Sequence, residues 1–105
     1  MQQLALVNDL FAAFEDGGKR CTIRKGRRDI ALGPLEFVSP DGTLKQIVNV
    51  TRVIYTRADG LEDHELWDDG FDSLPDMLEG MKRYYPDITE DTEITLIYCH
   101  IPEHL

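Results

Sequence analysis

A chain of 105 residues with 42% apolar content has material for one hydrophobic core, so a single domain spanning 1–105 is expected. Its formal charge of -9 argues against coating duplex DNA, where affinity is largely phosphate neutralisation. No apolar run approaches the roughly 20 residues of a membrane span, and no basic segment followed by a long apolar one opens the chain, so no membrane partner and a cytoplasmic location are expected.

Leu4, Val7, Leu10, Phe11 and Phe14 recur at three- and four-residue spacing, which predicts an amphipathic helix over about 3–15. Gly17 or Gly18 suits the left-handed residue that closes such a helix. Cys21 to Arg24 reads as a short strand: Cys21 and Ile23 enter a core, and Thr22 and Arg24 face outward together. A polar, basic loop follows to Asp29, then a turn at Gly33 into a strand over 35–39. Pro40-Asp41-Gly42 is a turn signal.

The Val-, Ile- and Thr-rich run 44–55 predicts a long strand that curls through a barrel. Regular alternation would put Ile47, Asn49, Thr51, Val53 and Tyr55 on one face, and Val48, Val50, Arg52 and Ile54 on the other. Ala58-Asp59-Gly60 breaks it. Residues 61–70 are strongly acidic with Trp67 as anchor. Ser73 is the predicted N-cap of a helix with Pro75 in its first turn, ended by Pro86. Glu93 to Cys99 predicts a last strand, with Ile94, Leu96 and Tyr98 on one face and Thr95, Ile97 and Cys99 on the other. These elements make an α+β domain: a small, mainly antiparallel barrel of about five or six strands with two main helices.

Charge is concentrated rather than spread. Of eleven Lys and Arg, six (Lys19, Arg20, Arg24, Lys25, Arg27 and Arg28) lie between residues 19 and 28. Such a cluster in an acidic chain either holds an anionic ligand or pairs with a local acidic patch. Residues 59–79 hold nine of the twenty carboxylates and offer such a patch, unless they are simply a solubilising face. Cys21 and Cys99 are read as reduced core thiols. With no Cys-x-x-Cys and no His cluster, neither a metal nor a cofactor is expected; His64, His100 and His104 have no partners at ligand spacing.

Gly18-Lys19-x-x-Thr22-Ile23-Arg24, the Gly33 turn into Leu35-Glu36-Phe37, and Asp69-Gly70-Phe71-Asp72-Ser73-Leu74 together resemble the ASCH domain family. The resemblance runs from the first helix to the final strand and implies a PUA-like fold. It also implies a cleft that binds RNA or a modified nucleoside at the Lys-x-x-Thr segment. A small bacterial branch of similar length resembles N4-acetylcytidine amidohydrolase, whose catalytic set is a lysine, a threonine and a glutamate. The first two carry over to Lys19 and Thr22. The third falls on Asp69, one methylene shorter than the family's glutamate, with Glu65 or Asp68 as substitutes.

On that reading Thr22 attacks the amide carbonyl, Lys19 takes its proton and Asp69 orients the lysine or protonates the leaving base. Arg24 holds the oxyanion or a ribose oxygen, and Trp67, Tyr55 or Tyr98 stacks on the base. Arg20, Lys25, Arg27 and Arg28 are the remaining candidate contacts to nucleoside or single-stranded RNA. The alternative is a non-catalytic single-stranded RNA-binding module, a regulator or a weak ribonuclease, with the same cleft. Each residue also has a plainer role. Thr22 packs as a strand threonine, Arg24 pairs with an acid across the barrel, and Lys25, Arg27 and Arg28 form a solvated loop. Asp69 is turn chemistry, and Trp67 plugs the core. A protein-interaction domain using the acidic face is a third option. The sequence leaves the oligomeric state open.

Overall fold

The computed structural model describes residues 1–15 and 20–102, without the side chains of Asp9, Ala13 and Glu15. The helix-closing glycines, Lys19 and His104 lie outside the described residues. In chain order the elements are strand β1 (Gln2–Ala5), helix α1 (Asn8–Glu15), β2 (Cys21–Lys25), β3 (Gly33–Val38), β4 (Lys45–Arg57), a 3-10 turn (Ala58–Gly60), α2 (Asp63–Asp68), α3 (Leu74–Met81) and β5 (Glu93–His100). The strands form one sheet in the order β1-β3-β4-β5-β2. Among the described residues β1–β3 is parallel, and the β2–β5, β3–β4 and β4–β5 pairings are antiparallel. The result is a curled half-barrel whose edge strands, β1 and β2, are unpaired with each other among the described residues.

The N-terminus corrects the helix expected over 3–15. Residues 2–5 are a strand, because Leu4 and Leu6, two apart, are the buried pair there, while Gln3 and Ala5 are exposed. That is period-2 burial, and Leu4 meets the helical spacing only by coincidence. Helix α1 is the shorter remainder and buries Phe11 and Phe14. Phe14 meets Phe37 of β3 with ring centroids 5.1 Å apart.

Two cores sandwich the sheet. On the α1 face, Leu4, Leu6, Phe11, Phe14, Leu35, Phe37, Val48, Val50, Ile97 and Cys99 pack together. On the other, Cys21, Ile23, Ile94 and Leu96 meet Leu66 of α2 and Met77 and Met81 of α3. The expected alternation of β5 therefore holds. That of β4 does not: a bulge between Val50 and Arg52 inserts an extra residue, Thr51. One inserted residue flips the parity of everything after it. Val53 thus packs on the same face as Val48 and Val50, and Ile54 joins the opposite core.

Ser73 caps α3 as predicted, its Oγ accepting the Asp76 N–H at 3.3 Å. Helix α2 is a third helix beyond the two expected. A reciprocal capping box starts it: the Glu62 side chain accepts from the Glu65 N–H, and the Glu65 side chain accepts from the Glu62 N–H. The acidic composition of 61–70 hides this, since the box is made of the same residues that read as a charge run.

Candidate functional site

Strand β2 pairs with β5 so that Thr22 lies opposite Ile97, and Arg24 opposite Thr95. Directly opposed residues share a face, so Thr22 and Arg24 lie on the α1 face of the sheet, not outside it as alternation alone suggests. Thr22 is 4% exposed and Arg24 is half-buried. The expectation failed because alternation separates two faces without saying which is covered; here both are.

Arg24 is the centre of this region. Its Nε donates to Thr22 Oγ1 at 3.2 Å, and its Nη1 donates to the Ala5 carbonyl at 2.6 Å. The second bond spans the gap between the two edge strands. Burial holds the guanidinium below its ordinary pKa; the Tyr85 hydroxyl, a further hydrogen-bond partner, opposes this, and the nearby Arg28 reinforces it. Among the described residues no carboxylate pairs with Arg24 or Arg28. The acid partner expected for Arg24 across the barrel is therefore not found among them.

The segment between β2 and β3 straps across this face. Buried Thr95 donates its Oγ1 to the Gly26 carbonyl at 2.7 Å and accepts the Arg28 N–H at 2.9 Å. Tyr55 of β4 donates its hydroxyl to the Arg28 carbonyl at 2.9 Å. The Gln2 side chain of β1 holds Ala31 from both sides, donating to its carbonyl at 2.7 Å and accepting its N–H at 3.0 Å. Gly26 starts the strap at φ 79°, in the left-handed region that favours glycine. Arg27 sits over the Tyr55 ring, its guanidinium carbon 3.9 Å from the centroid, and has a loose ion pair with Asp29 at 3.8 Å. Lys25 is engaged elsewhere: its Nζ meets Asp87 Oδ2 at 2.6 Å and draws that carboxyl below its usual pKa.

At the other end of β2 the chain meets α2. The Arg20 N–H points to the Asp68 carbonyl at 3.5 Å, and the Arg20 carbonyl accepts the Cys99 N–H at 3.0 Å. Tyr98, opposite Cys21, donates its hydroxyl to Asp68 Oδ2 at 2.7 Å; burial, helped by this bond, pushes its pKa up. Asp69 is 9% exposed at the C-cap of α2, and Glu65 is buried in the capping box. Trp67 corrects the core-plug reading: it is 61% exposed, with its Nε1 donating to the Asp72 carbonyl at 3.3 Å.

The structure thus gathers Thr22, Arg24, Arg27, Arg28 and Tyr55 around the strap. Tyr98, Asp68 and Asp69 lie at the start of β2 instead, and Trp67 lies on the outer side of α2. Lys19 lies outside the described residues. Sequence reasoning missed Thr95, Tyr85 and the Ala5 carbonyl. Thr95 had no sequence signal beyond strand propensity, and Tyr85 read only as an end of the α3 stripe. Among the described residues no group of three His, Cys, Asp or Glu is placed to hold a metal, and no helix is long and apolar enough to cross a membrane.

A curled five-stranded sheet with one parallel edge pair, helices on both faces and an arginine-centred strap defines a PUA-like α+β domain. Its closeness to solved structures is specific: the fold is that of ASCH domains. An ASCH domain from Lactobacillus crispatus superposes with a TM-score of 0.71 at 16% identity, covering 95% of this chain and 79% of that one. A protein from Enterococcus faecalis gives 0.69 at 12%, covering 100% and 86%. A mutant of the Zymomonas mobilis ASCH protein gives 0.64 at 15%, covering 95% and 68%. No family profile matches the sequence, and no curated protein matches it.

Proposed function

We propose that this domain binds single-stranded RNA, or a nucleoside drawn from it, at the strap side of the sheet around Arg24. One observation carries the reading. A half-buried guanidinium, with a second arginine near enough to lower its pKa, has no carboxylate partner among the described residues. A guanidinium partly kept from water, as Arg24 is, gains from an anion beside it. An RNA phosphate supplies that anion, and the Arg27–Tyr55 pair at the same strap suits an unstacked base. The chain's overall charge of -9 keeps the attraction local to this face.

A second reading is favoured by the bond from Arg24 Nε to Thr22 Oγ1 at 3.2 Å. A charged donor on a threonine hydroxyl stabilises the alkoxide formed as its proton is taken; that oxygen then attacks the carbonyl, the cytidine amine leaves, and water releases the acetyl group from Thr22 as acetate. On this reading the domain hydrolyses the acetyl amide of N4-acetylcytidine, with Thr22 as nucleophile, Lys19 as proton acceptor and Asp69 as the supporting acid. No metal is required.

The test is a pair of assays on one preparation. Salt-sensitive binding of a single-stranded oligonucleotide, weakened by Arg28→Ala, supports the binding reading; its absence overturns it. Deacetylation of N4-acetylcytidine, lost in both Lys19→Ala and Thr22→Ala, supports the second; turnover surviving either change removes it.

A further inference from the structure

The contact between Arg27 and Tyr55 is more ordered than a solvated loop requires. The ring is pinned at its far end by the hydroxyl bond to the Arg28 carbonyl, at 2.9 Å. The guanidinium carbon lies 3.9 Å from the ring centre, within cation–π range. The only acid near Arg27 among the described residues is Asp29, at 3.8 Å, and its side chain is almost fully exposed. The ring, rather than an ion pair, therefore sets where Arg27 sits.

Position adds the second element. Tyr55 lies opposite Thr95, and Thr95 opposite Arg24, so the three form one row across β4, β5 and β2. Adjacent strands are about 4.8 Å apart, which puts the ends of the row about 10 Å from one another. The strap crosses the middle, seated on Thr95. Arg27 leaves it toward Tyr55, while Arg28 lies near Arg24. One end is then a guanidinium lying over an aromatic ring, the other a pair of cations. A neutral nucleoside gives the cations nothing to neutralise. A nucleotide chain offers a base to one end and a phosphate to the other.

Resting on the binding reading above, we infer that the Arg27–Tyr55 stack is a preformed platform for one unstacked base of an RNA chain whose neighbouring phosphate is held by Arg24 and Arg28. The ligand is thus a nucleotide chain, not a free nucleoside. The outer surface of the Arg27 guanidinium stacks on the base, and Tyr55 fixes the guanidinium plane. Lysine keeps the charge of arginine but not its plane.

The experiment measures binding of a short fluorescein-labelled oligonucleotide of uridine and cytidine by anisotropy, over a range of salt. Arg27→Lys and Tyr55→Leu are each expected to weaken it about ten-fold with the salt slope unchanged, as loss of one stacked base does. Arg28→Ala is expected to lower the slope by about one. Cytidine monophosphate should displace the oligonucleotide at concentrations where cytidine does not. Circular dichroism melts of each variant separate loss of binding from loss of fold. If the wild type binds in a salt-sensitive way but Arg27→Lys binds equally well, Arg27 is only a charge and the platform is wrong while the binding reading stands. Displacement by cytidine as effective as by its monophosphate overturns the phosphate requirement. No binding by the wild type overturns both.

Discussion

Thr95 shows how much one hydroxyl can organise. It is fully buried and satisfies two backbone groups of the strap, the Gly26 carbonyl and the Arg28 N–H. Thr95→Val keeps the shape and strands both groups, at a cost of about 1–3 kcal/mol. A lower urea midpoint at unchanged slope would register it, and Thr95→Ser should restore most of it. Asp41, in the turn after β3, makes a different prediction. The Ser39 hydroxyl, with the Thr43 N–H and hydroxyl, holds its pKa down at about 2, from 3.8. A depressed folded-state pKa contributes stability that is full above the unfolded value and is lost as pH falls toward the folded one. The difference in urea midpoint between wild type and Asp41→Asn should therefore shrink between about pH 4 and about pH 2. A difference that stays constant over that range would contradict the assignment. At this scale the sequence was half legible. Spacing paired Thr22 with Arg24, but no local pattern announces that the preceding helix α1 covers their face. Trp67 was misjudged for the converse reason: a large indole signals burial on average, and its surroundings on α2 decide otherwise.

Among the elements, strands announced themselves better than helices. The long runs that became β4 and β5 are rich in β-branched residues, and their alternation carries through except at the Thr51 bulge. An inserted residue leaves no compositional trace, so the face switch at Val53 is invisible until pairing partners are known. The β1–α1 junction was misread because Leu4 fits both periods. Where a boundary had explicit chemistry it was found: Ser73 is the N-cap of α3, and Ser73→Ala should cost about 1 kcal/mol. A thermal melt checks this, and no shift in midpoint would mean that the Asp76 N–H finds water as good a partner. Gly26 carries a sharper cost. A Cβ there meets nothing within 4 Å, so Gly26→Ala isolates the strain of φ 79° from any clash. The expected loss is about 1–2 kcal/mol.

Across the described residues, two cores lie on opposite sides of a sheet whose members serve both. Val48 and Val50 of β4 pack on the α1 side and Ile54 on the other; in β5, Ile97 and Cys99 face one core, and Ile94 and Leu96 the other. Shared strands predict one cooperative transition, not two. Phe37→Ala empties a fully buried site in the first core, and Met77→Ala in the second. Each should cost roughly 2–5 kcal/mol, a large part of the stability of a chain this size. Far-ultraviolet circular dichroism and Trp67 fluorescence should still move together in both variants. Separate transitions would mean that the two halves fold independently. The α+β class and ASCH fold were readable at this scale because scattered motifs, each weak, agreed in order and spacing. The open seam was not readable, since nothing in a strand's own sequence says whether its outer edge will find a neighbour.

That seam has a consequence for self-association. Among the described residues, the hydrogen bonding that a sixth strand would provide between the margins of β1 and β2 is replaced by Arg24 reaching the Ala5 carbonyl. Methionine in place of Arg24 would leave the Ala5 carbonyl without this donor and the strand margins without their spacer. Bare margins recruit others of their kind, so the variant should elute larger as its concentration rises while the parent does not. On the proposed binding reading, one side chain would then serve as both an anion hook and a guard against polymerisation.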